Sequence, residues 1–230
     1  MVAELREAEI FDELDNFYFS SISTHAFARL NYINPGNFTL QDGVAPTFVP
    51  GKGFKGDGST KYLTTGWDPA TNGVKFTQTN ASAFAYSHTN DGAAGNAFLF
   101  GSRDGSNVGR VELIPKNINN QHVGGINSAG TTTGLGTAVS AKGFFHVQRR
   151  NDNDLRLFKD GAQVGATDTT TPSDGLNNDD IALLATNANG TVGGFSEETI
   201  GVYGAGSSLT GKEDTLYEII NKALTRLANI

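Results

Sequence analysis

The 230-residue chain has no cysteine, a single methionine and a single tryptophan. Without cysteine there is no disulfide, no thiolate-bound metal and no cysteine nucleophile. Secreted domains often carry disulfides, so their absence points to assembly in a reducing compartment. Charge is scarce too: Asp, Glu, Lys and Arg make up 18% of residues, below the roughly 25% of an average domain. Basic residues are the scarcer sign, 17 against 24 acids, for a net charge of −7. Only Arg149 and Arg150 adjoin, and Asp152 and Asp154 follow at once. With no basic patch, a nucleic-acid partner is not expected. No apolar run has the length of a membrane span, and the opening MVAELRE is too acidic for a signal peptide, so neither a membrane partner nor a leader is expected.

What fills the sequence instead is Gly, Asn, Ser and Thr. The 29 glycines are spread without a three-residue period, which means many tight turns and not a collagen repeat. A chain this long buries roughly 70% of its unfolded surface, enough for a large core without staples. After Asn34, Pro35 and Gly36 the chain breaks into short runs bounded by turn residues. Strands are expected at 83–88, 97–101, 110–114, 143–149, 155–159, 162–166, 181–186 and 199–203. Phe84, Tyr86 and His88 share one face in the period of two, opposite Ala83, Ala85 and Ser87. The run 143–164 (GFFHVQRR, NDND, LRLFKDGAQV) reads as two successive hairpins, the second turning on Asp160 and Gly161 in a type I′ geometry. Many short strands at regular spacing with turn signals between them mean a mainly antiparallel β-sandwich or a barrel.

The two ends read as helix. Over 2–19 the apolar residues Leu5, Ala8, Phe11, Leu14, Phe17 and Tyr18 have helical spacing, and a second short helix is expected at 23–30. Near the C-terminus, Thr210 and Glu213 have capping-box spacing. Leu216, Ile219, Ile220, Ala223, Leu224 and Leu227 then form a stripe that must be covered, so a helix is expected over 210–228. The expected organisation is a helical lead-in at 1–36 and a sandwich with its terminal helix at 37–230.

Motifs that carry chemistry are few. Gly51, Gly53 and Gly56 match G-x-G-x-x-G, but no helix follows to meet a pyrophosphate. The loop from Gly206 to Lys212 resembles a phosphate cradle, yet offers Glu213 where a magnesium-binding hydroxyl is needed. His25, His88, His122 and His146 are scattered with no metal-ligand spacing. No G-x-S-x-G elbow is present. Glu13 and Asp15 resemble the start of a glucanase E-x-D-x-x-E strand, but position 18 is Tyr18 and the periodicity is helical. Asp152, Asp154, Asp179 and Asp180 have the oxygen chemistry calcium prefers without the spacing of a recognised loop, so they read as turn formers and no cofactor is expected. A sugar site needs a stacking ring and planar polar groups on strand ends or loops. Trp67, Tyr86, His88, Asn90, Asp91, Arg103 and Asn127 are the candidates, against the reading that Trp67 packs in the core.

Residues 53–69 (GFKGDGSTKYLTTGWDP) resemble a recurring segment of phage-encoded concanavalin A-like, laminin-G-like lectin/glucanase-fold proteins. Residues 75–84 (KFTQTNASAF) are similar to that family's first central strand. The double hairpin at 143–164 and the closing segment 200–210 (IGVYGAGSSLT) also fit it, as do LDNFY at 14–18 and NYINPG at 31–36. The resemblance implies a two-sheet jelly roll of the kind found in tail fibres, spikes, baseplates and capsid decorations. It carries over no catalytic residue. It implies a non-catalytic virion protein, assembled in the host cytoplasm, whose partners are other virion proteins, further copies of itself (trimers in fibres and spikes) and surface glycans. The stripe Leu5, Ala8, Phe11 and Leu14 then suits attachment or oligomerisation, or else caps the sandwich. The alternatives are a glycan-degrading enzyme on the same fold and a pure sugar-binding module.

Overall fold

The computed structural model of the protein describes residues 1–91, 96–130, 138 and 140–228. It is a two-sheet β-sandwich with a C-terminal helix, as the turn spacing leads one to expect. In chain order the elements are α1 (Val2–Glu7), β1 (Leu14–Phe19), β2 (Gln41–Val44), β3 (Thr47–Val49), β4 (Gly53–Lys55), β5 (Tyr62–Thr64), α2 (Pro69–Asn72), β6 (Ala81–Ser87), β7 (Phe100–Arg103) and β8 (Arg110–Ile114). There follow β9 (Val123–Ser128), β10 (Gly143–Asn151), β11 (Asp154–Lys159), β12 (Ala162–Gln163), β13 (Ala182–Leu183), β14 (Thr186–Ala188), β15 (Thr191–Gly193), β16 (Thr199–Gly206) and α3 (Glu213–Ala228). The first sheet runs β12-β11-β10-β6-β16-β4-β3, with β1 sharing the outer edge of β16. The second runs β15-β14-β7-β13-β5-β2, extended through β7 by β8 and β9.

The alternation read from β6 is the one observed. Ala81, Ala83 and Ala85 face the core between the sheets, while Phe84 turns outward. Small alanines there leave room for Phe100, Leu113, Phe145, Val147 and Leu157 from the surrounding strands. The 143–164 hairpins also form as read. Asp160 and Gly161 have φ of 50° and 83°, the double positive φ a type I′ turn requires.

The N-terminal end differs from the helical expectation, whereas the C-terminal helix forms and departs from it only in its cap. Helix α1 stops at Glu7, because Glu9 enters the left-handed region at φ 54°. Glu9 N–H then donates to the Arg6 carbonyl (2.9 Å) and Ile10 N–H to that of Leu5 (2.8 Å). This is a Schellman stop, closed by Leu5 and Ile10 side chains in one apolar cluster. Beyond it Leu14–Phe19 is a strand on β16, so residues 1–36 are not all lead-in: β1 is part of the sandwich. Its apolar spacing misleads because it is buried on both faces, Phe17 and Phe19 outward and Tyr18 inward. Between 23 and 30 only a 3-10 turn, Phe27–Arg29, forms.

The capping box does not form either. Gly211, at φ 80°, keeps the chain out of helix until Lys212, whose carbonyl takes the Leu216 N–H at 2.9 Å. The Thr210 hydroxyl bonds Ser208 (2.8 Å). The Glu213 carboxylate turns to Gln148 Nε2 (2.6 Å) and Arg150. The stripe of α3 is covered as expected: Leu216, Ile220 and Leu224 lie on the outer face of the first sheet with Phe84, Phe144 and Val202. Leu5, Phe11 and Leu14 are buried in the same cluster, and Ala8 packs on it half-buried. The stripe expected to attach or oligomerise is therefore spent inside the chain, capping the sandwich.

Candidate functional site

The structure divides the sequence-derived sugar residues among three places. Trp67 is fully buried in the core between the sheets, its ring edge-on to Phe76 at 5.6 Å, and offers no platform. Asn127 is also fully buried, and its amide nitrogen donates to the carbonyls of Thr77 and Gln78 at 3.0 Å each. Both are structural, and a ligand cannot reach either. Arg103 lies on the outer face of the second sheet, paired with Glu112 at 3.2 Å. Tyr86, His88, Asn90 and Asp91 stay together where β6 ends.

Around Tyr86 the chain forms an open hollow of about 290 Å³, lined by Tyr86, Ser140, Lys142, Gly143, Lys159, Asp160, Tyr217 and Asn221. Strand β6 supplies Tyr86 from its outward face, and β10 passes beside it, Phe144 opposite Tyr86. Gly143 is needed at the rim, because at φ 130° a Cβ would sit 2.8 Å from Asp160 Oδ1. That oxygen instead accepts the Phe144 N–H at 2.8 Å, while Oδ2 faces Lys159 at 3.4 Å. Gly161 tucks the turn beneath α3, where a Cβ would meet Asp214 Oδ1 at 2.6 Å and Tyr217 at 3.2 Å. The hollow thus forms where the helix leaves part of the sheet uncovered.

Burial raises both phenols above the ordinary tyrosine range, Asp160 adding to the shift at each. They are neutral hydroxyls at physiological pH, able to donate and accept. Two half-exposed aromatic rings, two ammonium groups, a carboxylate and an amide therefore converge on one cavity. That is the chemistry that grips a hydroxyl-rich ring: flat apolar surface below, donors and acceptors around. Of these residues, sequence reasoning named only Tyr86. Tyr217 and Asn221 were hidden as flanks of the α3 stripe, although their four-residue spacing puts them on one helical face. Asp160 was read only as a turn residue.

The neighbouring residues brace the hollow without lining it. His88 Nε2 lies 2.8 Å from Ser21 Oγ, a distance suited to a nucleophile and its base. Ser21 is however fully buried, and its hydroxyl is also within reach of the Gly201 carbonyl at 3.2 Å. Burial, with Lys52 and Lys142 nearby, lowers His88 to about 4. The Asn90 side chain accepts the Ala141 N–H at 2.6 Å, anchoring the approach to Lys142, and Asp91 pairs with Lys55 at 3.0 Å.

The carboxylates considered for catalysis or calcium are each engaged by neighbouring groups. Asp15 accepts the N–H groups of Val74, Lys75 and Phe76 at 2.8–3.1 Å, and Glu13 takes the Ser207 hydroxyl at 2.5 Å. Asp154 holds Arg156 through both oxygens (2.7 and 2.8 Å). Asp152 accepts from Ser173 N–H (3.1 Å), Asp179 from Asn189 N–H (2.8 Å) and Asp180 from Thr64 (3.4 Å). Among the described residues no group of three or more His, Cys, Asp or Glu is placed to hold a metal ion. Gly53 and Gly56 serve close packing, since a Cβ on either would run into the Ile200 or the Ser196 carbonyl.

No protein-family model matches the chain, and no curated protein matches it in sequence. Solved structures do match in fold. A Trypanosoma rangeli sialidase, in complex with a difluorinated KDN, aligns over 95% of this chain and 39% of its own, at 14% identity and TM-score 0.58. The botulinum neurotoxin serotype D ligand binding domain, in complex with N-acetylneuraminic acid, aligns over 92% and 52%, at 11% identity and TM-score 0.60. Domain 4 of AbnA, a GH43 extracellular arabinanase from Geobacillus stearothermophilus in complex with arabinotriose, aligns over 89% and 98%, at 12% identity and TM-score 0.56. The chain spans about half or less of the sialidase and toxin chains and nearly the whole of the arabinanase domain. At such identities the likeness defines a class: a lectin-like β-sandwich.

Proposed function

We propose that this sandwich is a non-catalytic glycan-binding module that holds a sugar in the hollow between Tyr86 and Tyr217. The observation that carries the reading is the convergence of two half-exposed phenols with Lys142, Asp160 and Asn221 on one cavity of about 290 Å³. Two of the fold relatives, the toxin domain and the arabinanase domain, have sugars bound in their structures, which supports a saccharide over other ligands of this size. The hydrogen bonds that already engage these acidic side chains and the burial of Ser21 support binding without cleavage. The virion setting belongs to the same proposal and rests on the sequence resemblance. Immunogold labelling of particles is its separate check, and labelling confined to cell debris would remove it.

A glycan array followed by titration calorimetry tests the site. Binding to at least one glycan is expected, with affinity reduced about tenfold or more by Tyr217→Ala, since aromatic anchors dominate such contacts. Tyr217 is a half-exposed flank of α3, so the variant keeps its fold. Silence across the array, or affinity unchanged in both Tyr217→Ala and Lys142→Ala, would overturn the assignment.

A further inference from the structure

The outer face of the second sheet carries a different cavity. Strands β7 and β8 pair antiparallel with Gly101 opposite Glu112, which sets Arg103 and Arg110 side by side on that face. Gly101 contributes no side chain, and a Cβ there would press on Thr186 Oγ1 at 2.6 Å. The Glu112 carboxylate uses this room. Its Oε1 accepts from Arg103 (3.2 Å) and the Thr186 hydroxyl (3.0 Å), and its Oε2 from Arg110 (3.0 Å). Glu112 is 1% exposed, whereas the Arg103 and Arg110 side chains keep 26% and 17% of their surface in solvent.

Two guanidinium charges against one carboxylate leave this trio a formal charge of +1. Arg103 Nε, its second terminal nitrogen and the second terminal nitrogen of Arg110 donate to no acceptor among the described residues. Beside them Phe98, Ile114 and Val123 form an apolar cluster separate from both larger cores. All six residues line one cavity of about 170 Å³.

We infer that this cavity is a second binding site, for a single carboxylate-bearing sugar of the hexuronic acid class. A guanidinium with two free N–H groups matches a carboxylate in bidentate fashion. The apolar floor matches the C–H face of a sugar ring. A monoanion cancels the remaining charge, a neutral sugar leaves it unmet, and a phosphate dianion exceeds it while facing Glu112. The cavity is smaller than the Tyr86 hollow and takes one ring, not a chain. Glu112 is a positioning residue: it fixes both arginines and limits the charge they present. The site lies on the opposite sheet and stands whether or not the Tyr86 hollow binds sugar.

NMR titration of the full chain with glucuronate, glucose, acetate and inorganic phosphate is the test. Glucuronate is expected to saturate and to shift resonances of β7 and β8, at least tenfold more tightly than the other three. Arg103→Lys, which keeps the charge but loses the fork, lowers glucuronate affinity about tenfold with an unchanged circular dichroism spectrum, and Tyr217→Ala leaves it untouched. Glu112→Gln raises the trio's charge to +2 and moves the preference toward phosphate. Glucose, acetate or phosphate binding as tightly as glucuronate would overturn the ligand class. No glucuronate binding, or binding abolished by Tyr217→Ala, would overturn the site. Equal loss of every ligand in Glu112→Gln would overturn the positioning role.

Discussion

The outer faces of the two sheets meet opposite fates. On the first sheet, the outward positions of β1, β6, β10 and β16 are Phe17, Phe19, Phe84, Phe144 and Val202, and the chain covers them with α1 and the 16-residue α3. On the second, β7 and β8 turn Gly101, Arg103, Arg110 and Glu112 outward, and the two arginines hold the Glu112 carboxylate between them with one positive charge to spare. A face of large apolar side chains has to be buried to be stable, so the sequence supplies its cover. A face that presents charged groups needs no apolar cover, and this one keeps an opening of about 170 Å³. The Tyr86 hollow lies at the border, where the cover on the first sheet ends. Both proposed sites thus lie where apolar cover is absent or stops.

The sharpest break of this comparison is on the covered face. Phe84 is fully buried there, touching Phe17, Phe144 and His146 with ring centroids at 5.6–6.2 Å. Phe84→Ala is expected to cost about 3–5 kcal/mol, read as a lower urea midpoint. A loss under about 1 kcal/mol would mean the helix covers the sheet only loosely.

Acid attacks the same face. His146 is fully buried between Phe84 and Phe158, with neither ring nitrogen hydrogen-bonded to any of the described residues. Burial lowers it to about 4 against the field of Glu213, with Arg150 adding to the shift. The folded state refuses a proton that the unfolded chain accepts below its ordinary value of 6.5. Its contribution is present above that value and is lost as pH falls toward about 4. Between about pH 7 and pH 5 the loss is on the order of 2 kcal/mol. His146→Phe is expected to flatten the stability profile over that interval. His88, also lowered to about 4, keeps some slope, and a profile as steep as the wild type would refute the role of His146.

What the sequence showed of these faces follows from how many sides of a strand are buried. The period of two was readable in β6, because its inward alanines differ in size from Phe84 and Tyr86. It was unreadable in β1, where Phe17, Tyr18 and Phe19 are all buried and the spacing matched a helix as well. Local turn chemistry was legible at Asp160 and Gly161, which need nothing from afar. The capping box was not, because Glu213 had better partners in Gln148 and Arg150, some sixty residues away in sequence. Site residues suffered most. The single tryptophan drew attention as a ring platform but serves the core, while Tyr217 and Glu112 gained their roles only through pairing across elements.

The open face should respond more weakly, and Gly101→Ala sharpens the contrast. The new Cβ meets Thr186 at Oγ1 (2.6 Å), Cβ (2.7 Å) and Cα (3.2 Å), so rotating one side chain does not relieve it. Overpacking of this kind is expected to cost roughly 1–2 kcal/mol and to reduce glucuronate binding by displacing Glu112. Full stability with unaltered binding would show that the face has slack.

The smallest effect belongs to Arg103→Gln. Removing the guanidinium breaks one contact to Glu112 but leaves Arg110 and the Thr186 hydroxyl in place, so the buried carboxylate is never without a partner. The arginine side chain is 26% exposed, and solvent screening holds the cost to within about 1 kcal/mol. Its urea midpoint should therefore lie close to wild type while Phe84→Ala shifts far. A drop of several kcal/mol, as seen when a buried pair loses one partner, would mean that Arg103 holds the second sheet together as the phenylalanines hold the first. The arginine would then be a structural group, and the contrast between a sealed face and an open one would fail.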